Sequence, residues 1–483
     1  MSPLPTPTPS SSAPWRGGLN ALLLAAGIGG VAFALMASNA PVASSSAVLA
    51  VAPAAPDVGA WLAGMPTGQM GTVTGMALEA AFTGVKAQPV QAAAWSGLGD
   101  VIAQCQRESN DASFYAVAEK CYQWALNLNP AWTDAMAGMA WVHGGRHEFD
   151  LSMLWAEKAL SADAGHATAH GIIGDAVVEL GDYDKAYEHY QKMMDLRPDL
   201  SSWSRGAHLL WLTGNQSKAV MLMGQAIRSG GPYSENTSWC RARLALMLFN
   251  NGALVPAAQA LEPALAKGTT NFHVLLAAGR IAAAEGNFPE AEAHYRKVLE
   301  KGPNLEALIG LGDIATVQQR TEDAAQAYAS VKSLHAQHRQ TGVHDHMEMA
   351  RFYADHGMEA DEALRLAREH GEVRNVFEAD TMAWVLFQHG DQAKAIEYIK
   401  QALKTNTPDP AIHYHAGCIA AAAGDRVSAQ KHLQKALSMN PVFSLLHAPK
   451  AVALLEKLGS TAPVVPVVAE RPGNAGNALS VLK

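Results

Sequence analysis

Gly174-x6-Gly181-x-Tyr183-x2-Ala186-x3-Tyr190-x7-Pro198 is the clearest copy of a degenerate 34-residue pattern that runs through most of this 483-residue chain. A fixed period of that length means stacked supersecondary units, each resting on its neighbours, in place of one globular core. Every pattern position has a physical role. Small residues at positions 8, 20 and 27 let two helices cross closely, and a large residue at 24 fills the gap between them. Gly at 15 ends the first helix in a left-handed turn, and Pro near 32 stops the second.

The rhythm recurs at 272–304, through Gly279, Gly286, Phe288, Ala291, Tyr295, Val298 and Pro303. It recurs again at 410–443, through Gly417, Gly424, Ala429, Leu433, Ala436 and Pro441. Weaker copies fill 133–166, 200–237, 238–271, 305–342, 343–375 and 376–409. In 305–342 the turn Gly is replaced by Gln319, and in 343–375 the Ala comes one place late, which predicts a local insertion. The segment 92–132 carries Trp95, Leu98 and Gly99, then Tyr122, Ala125 and Pro130, with extra residues around Glu108 to Ser113 that predict a lengthened turn.

That makes ten repeats over 92–443, and the pattern resembles the tetratricopeptide repeat (TPR). The resemblance implies an all-α solenoid of about ten helical hairpins. Stretches such as Asp195 to Leu200 and Glu235 to Cys240 look like segments of bacterial TPR proteins of unassigned role, of a membrane-anchored or exported type.

Before the repeats, residues 1–16 read as a disordered leader, and 17–37 is an uncharged stretch whose 21 residues would extend about 31 Å as a helix, enough for a bilayer. Two readings compete for it. A cleaved signal peptide would end at Ser38-Asn39-Ala40, whereas an uncleaved anchor is favoured by the length of the stretch and of its leader. Arg16 is the only charge before Asp57, which places the N-terminus inside and the repeats on the extracytoplasmic side. Residues 38–91 form an Ala/Pro/Ser/Gly-rich spacer in which Met76 to Val85 could be a short helix. After the repeats come a capping helix in 444–458, with Glu456 and Lys457 outward, and a flexible tail at 459–483.

Hydrophobic residues make up 49% of the chain and the net charge is −8, with no Lys/Arg stripe, which excludes a phosphate-tracking nucleic-acid surface. The four cysteines form no C-x-x-C pair and read as buried thiols; Cys105 and Cys121 lie on the two helices of the first repeat, where an oxidising compartment would allow a bridge. Among nineteen histidines, His344-x-His346 and His413-x-His415 point to opposite sides if helical and cannot share one ion. His143/His147 and His166/His170 lack the Glu of a zinc protease motif. No nucleophile elbow, P-loop or dinucleotide fingerprint follows a strand. The chain is therefore read as non-enzymatic, with no cofactor and no metal.

The TPR resemblance implies that pattern positions 2, 5, 9, 12 and 13 face a concave wall that contacts a protein or peptide partner. Carried onto this sequence, positions 9 and 12 give Trp141, Asp175, His208, Trp211, Phe249, Arg280, Asp313, Arg351 and Trp384 as the candidate groove. Trp141 and Trp384 are expected as anchors, and Arg280 and Arg351 as charged grips. The basic clamp of chaperone-binding relatives is absent, since Asp175, His208 and Leu246 stand where it needs Lys and Asn. The expected function is a protein-binding scaffold at the cell envelope; the alternative is an accessory subunit of an envelope enzyme complex.

Overall fold

A computed structural model of the chain describes residues 56–65, 67, 71–341 and 345–463. The apolar stretch 17–37, the leader, His344 and most of the tail lie outside the described residues. Among the described residues every regular element is helical, and no helix is long and apolar enough to cross a membrane.

Two helices precede the repeats, α1 (Val58–Trp61) and α2 (Thr72–Ala87), so the short helix expected at 76–85 runs longer and packs on the first repeat. Ten antiparallel hairpins follow. The first five are α3 (Ala92–Ser109) with α4 (Ser113–Leu128), α5 (Thr133–Gly145) with α6 (Phe149–Ala162), α7 (Ala167–Glu179) with α8 (Tyr183–Leu196), α9 (Leu200–Leu212) with α10 (Gln216–Ser229), and α11 (Ser234–Asn250) with α12 (Leu254–Leu265). The second five are α13 (Phe272–Ala284) with α14 (Phe288–Leu299), α15 (Leu305–Val317) with α16 (Thr321–Thr341), α17 (His346–Asp355) with α18 (Ala360–Glu369), α19 (Val376–His389) with α20 (Gln392–Leu403), and α21 (Pro410–Ala422) with α22 (Arg426–Met439). The single helix α23 (His447–Lys457) closes the array, with Glu456 and Lys457 exposed.

A Gly-Asx pair makes half of the ten hairpin turns. Gly181, Gly214, Gly390 and Gly424 take positive φ and end the first helix, and the next residue caps the second, with Asp182, Asn215, Asp391 and Asp425 accepting from the backbone N–H three residues on. Where Gln319 replaces the Gly it takes the same left-handed backbone, φ 59°. The insertion in the eighth repeat is absorbed at Glu359, which is also left-handed. The extra residues of the first repeat lie elsewhere than expected. They lengthen α3 to 18 residues and leave a short turn at Asn110. This extra turn of helix carries Glu108, which binds the Gly71 N–H and the Thr74 hydroxyl at the start of α2, and Arg107, which reaches across to Glu235 on α11.

The superhelix is tight. Successive odd-numbered helices touch one another, so they form the crowded inner wall and the even-numbered helices the outer one. One turn takes about six hairpins, after which the chain lies against itself. The backbone oxygens of Glu179 and Leu212, at the C-terminal ends of α7 and α9, would be left over by those helices. They accept from the turn above, from Asn375 Nδ2 (3.4 Å) and Thr407 Oγ1 (2.7 Å), and the Phe249 oxygen near the end of α11, already bonded to the Gly252 N–H, also accepts from Asn440 Nδ2 (2.8 Å). This contact between turns covers the C-terminal ends of α7, α9 and α11.

Candidate functional site

Position 9 of the repeat is largely structural. The small residue at position 8 lies under the ring at position 24: a Cβ on Gly99, Gly174, Gly279 or Gly312 would overlap Tyr122, Tyr190, Tyr295 or Tyr328. The residue after that glycine then meets the tyrosine hydroxyl. Tyr122 donates to Asp100 (2.9 Å), Tyr190 to Asp175 (2.8 Å) and Tyr328 to Asp313 (2.9 Å). Asp175 is buried and also receives the Arg205 guanidinium at 2.7 Å, while Asp313 receives His356 at 2.8 Å. Both aspartates, expected on a binding wall, therefore hold their own hairpins together.

The aromatic candidates are also core, and here the expectation of exposed anchors is corrected. Trp141, His208, Trp211, Phe249 and Trp384 are buried. Trp141 packs on Tyr115, Trp211 stacks with Phe377 from the next turn at 6.5 Å between ring centres, and Trp384 stacks on His415 at 4.2 Å. Trp211 thus fills space between turns, while Trp141 and Trp384 fill space between adjacent helices of their own turn.

Arg351 is occupied as well. Its Nε bonds Asp355 (2.8 Å) and its Nη1 bonds Asp380 (2.7 Å), and Asp380 accepts from His415 Nδ1 at 2.8 Å. His447, at the start of α23, donates to the Asp355 backbone oxygen at 3.0 Å, which ties the last helix into the interior. Burial raises the Asp355 and Asp380 carboxyls, but Arg351 and the histidines outweigh it and both lie below the ordinary value. Burial holds His447 down to about 4. Asp355, His415 and His447 offer ligand atoms within 4.8 Å of one another, the set among the described residues that could hold a metal ion. The Arg351 guanidinium, 3.5 Å from His415 Nε2 and paired with both carboxylates, already occupies the cation's place. His413, two residues earlier, points away to His432, as helical geometry requires.

Among the described residues the inner wall of α11, α13 and α15 is the stretch that no further hairpin covers. Glu306 is exposed there, and His273, Arg280, Ile309 and Asp313 are half-buried. Arg280, a sequence candidate, lies over the Phe249 ring at 4.8 Å. Arg243 stands at pattern position 6, outside the positions read as groove-facing, and so was missed; it lies over Trp239 at 5.9 Å and donates to His208 Nδ1 at 3.2 Å. His273 and Glu306 stand at position 2, the signal that could have found them. Burial lowers Arg243 to about 10, against the pull of Glu306, and lowers His273 to about 3, helped by Arg107 and Arg243. The protein crowded around the concave wall raises the Glu306 carboxyl even though its surface meets solvent, with Arg280 and Arg243 opposing. The four cysteines are buried free thiols whose pKa values burial pushes up, so they offer no nucleophile.

Sequence comparison matches the tetratricopeptide repeat at residues 169–202, 276–338 and 381–442. A comparison with curated proteins found no match. Among solved structures, PilF of Pseudomonas aeruginosa is 21% identical and covers 45% of this chain and 94% of its own (TM-score 0.34). PilW, a type IV pilus biogenesis factor, is 14% identical over 42% of this chain and 92% of its own (TM-score 0.37). Yeast Tom70 is 13% identical over 80% of this chain and 95% of its own (TM-score 0.36). At these TM-scores the likeness supports nothing about partner or pathway. The matched segments fall on hairpins α7/α8, α13/α14 to α15/α16, and α19/α20 to α21/α22, and the chain is a tetratricopeptide repeat protein.

Proposed function

We propose that the chain is a non-enzymatic scaffold at the cell envelope that holds a protein or peptide partner against the open stretch of its inner wall, on α11, α13 and α15. One observation carries this reading: the inward aromatic candidates are buried, while the stretch bearing Arg243, His273, Arg280 and Glu306 keeps polar groups open to solvent. A concave surface with charged groups over aromatic rings suits recognition of an extended chain. The envelope setting rests on the apolar stretch 17–37 and on Arg16. A second reading, an accessory subunit docked through the convex face, is favoured by the exposed Leu151 and Leu154 on α6, Tyr187 on α8, Met221 on α10 and Val255 on α12.

A photo-crosslinking residue placed at Glu306 or at Met221 of the 483-residue chain separates the two in cells. A partner trapped from position 306 and not from 221 supports the inner wall. Trapping from 221 alone overturns it in favour of the convex face. Fractionation of the same cells tests the envelope setting, which a wholly soluble chain would refute.

A further inference from the structure

We propose that the chain carries two divalent transition-metal sites, one between His170 and His189 of hairpin α7/α8 and one between His413 and His432 of hairpin α21/α22, each suited to Cu(II) or Ni(II). In both hairpins the Nδ1 atoms of the two rings meet, at 3.0 Å and 3.1 Å. The two histidines are nineteen residues apart in each case and hold the same places, position 4 on the inner helix and position 23 on the outer one. Histidines two or four apart are visible as pairs in the sequence, whereas these come together only when the hairpin folds. The guanidinium that closes the three-ligand set at Asp355 has no counterpart here. The cations that act on these rings are the amines of Lys185 and Lys192 in the first hairpin and of Lys431 and Lys435 in the second, which lie on the outer helices where salt screens them.

The first pair holds the tautomer that a metal ligand needs. His170 Nε2 lies 3.3 Å from the Ala164 backbone oxygen, which can only accept, so the proton of this neutral ring is on Nε2 and the Nδ1 lone pair is bare. Histidine ligands are characteristically held this way, with the other ring N–H on a carbonyl or carboxylate oxygen. The proton between the two rings therefore belongs to His189. When an ion binds, that proton moves to Nε2 of the same ring, so two lone pairs meet the ion and no proton need leave. Burial lowers all four rings, His189 and His413 to about 4, which keeps them in the neutral, metal-binding form at pH 7. Two nitrogens 3.0 Å apart, each about 2.0–2.1 Å from an ion, subtend about 95° at it. That is close to the right angle of a square-planar or tetragonal ion such as Cu(II) or Ni(II), and narrower than the tetrahedral angle that Zn(II) adopts. His189, His413 and His432 are half-buried, which leaves water to fill the remaining coordination positions.

The test is calorimetric titration of the 483-residue chain, in detergent and a non-coordinating buffer near neutral pH, with copper(II) chloride and separately with nickel(II) chloride. H189Q and H432Q should each remove one equivalent of saturable binding, and the double variant should remove both, because a site that keeps one ligand of two binds at least about tenfold more weakly. Electron paramagnetic resonance of the copper-loaded chain should show two imidazole nitrogens on each ion. The sixth hairpin supplies the control: His294 stands at position 23 of its repeat but Leu275 stands at position 4, so H294Q should keep both equivalents. Saturating nickel should also raise the melting temperature of the parent and leave that of the double variant unchanged. Should H189Q fail to fold by circular dichroism, H432Q tests the same geometry in the second hairpin. Unchanged stoichiometry and affinity in the folded double variant, or in H432Q where it alone folds, overturns the proposal, as does a copper spectrum without two-nitrogen coordination.

Discussion

Glycines at pattern position 15 divide into two sets that no feature of the hairpin itself distinguishes, and alanine at each would measure the contact between turns. All share a left-handed backbone: φ is +77° at Gly181, +80° at Gly214, +72° at Gly252, +80° at Gly286 and +78° at Gly424. Alanine in that conformation costs roughly 1–2 kcal/mol wherever it is placed. At Gly286 and Gly424 the added Cβ meets nothing within 4 Å, so that is the whole effect. At Gly181 it overlaps the Arg374 backbone oxygen of the next turn, at Gly252 it stands 2.6 Å from the Met439 oxygen, and at Gly214 2.9 Å from the Asn406 oxygen. Backbone atoms cannot swing aside as a side-chain tip can, so the overlap adds about 1–3 kcal/mol, the usual scale for an overpacked core. The expected order of destabilisation is Gly181→Ala, then Gly252→Ala, then Gly214→Ala, with Gly286→Ala and Gly424→Ala mildest. Urea unfolding followed by circular dichroism gives the order, and small-angle scattering should show the first three expanded. Equal losses at Gly181 and Gly286, with unchanged dimensions, would mean that the turns do not touch in solution.

Other outcomes follow from the same packing. Trp384→Ala should cost about 3–5 kcal/mol of stability, as a core cavity does; a stably folded variant in urea titration would restore Trp384 as a surface anchor. Asp175→Asn should cost about 3–5 kcal/mol because it strands the buried Arg205, whereas Asp313→Asn, whose side chain is 22% exposed, should cost about 1 kcal/mol. Thermal melts of the two variants would show the gap, and similar losses would refute the burial argument. Acid should weaken the fold through its buried histidines, against the opposite contribution of Asp100, whose carboxyl burial pushes up to about 7. Burial depresses His447 to about 4, His413 to about 4 and His273 to about 3, so between pH 6.5 and 4 the unfolded chain binds protons that the folded chain refuses, and stability falls as pH falls. Each such histidine contributes up to about 1.4 kcal/mol per pH unit, and His447→Gln should remove close to one proton from the slope; an unchanged slope would show His447 to be accessible.

The repeats were legible because each hairpin is specified locally. A close-packed glycine, a large residue opposite it and a Gly-Asx turn are all set within one 34-residue unit, and even Gln319 at a glycine position disturbed only the turn residue. The extra residues near Glu108 show where local reading stops, since a turn and another turn of helix use the same number of residues. What chose the helix is Glu108 meeting α2 and Arg107 meeting Glu235, 128 residues away. The groove was misread for the same reason. Positions 9 and 12 do face inward in every hairpin, but whether an inward residue meets water or another turn depends on superhelical pitch, which sums small rotations over many repeats and leaves no mark on any one of them. His208 and Arg280 share position 9 and differ in fate, the one buried and the other half-open.

Pitch and length together decide where a site can be. With about six hairpins to a turn, α7 is covered by α19, α9 by the approach to α21, and α11 in part by the segment around Asn440. Among the described residues no hairpin covers α13; α23 follows α22 instead, and Leu445 packs against the cluster formed by α13, α14 and α15. The open wall is therefore a product of where the repeats stop, and the charged groups it exposes sit on the hairpins that this stopping point leaves bare. Two further hairpins grafted after α22 should bury Arg280 and abolish ligand binding while raising stability, an outcome that a site on the convex face would not share.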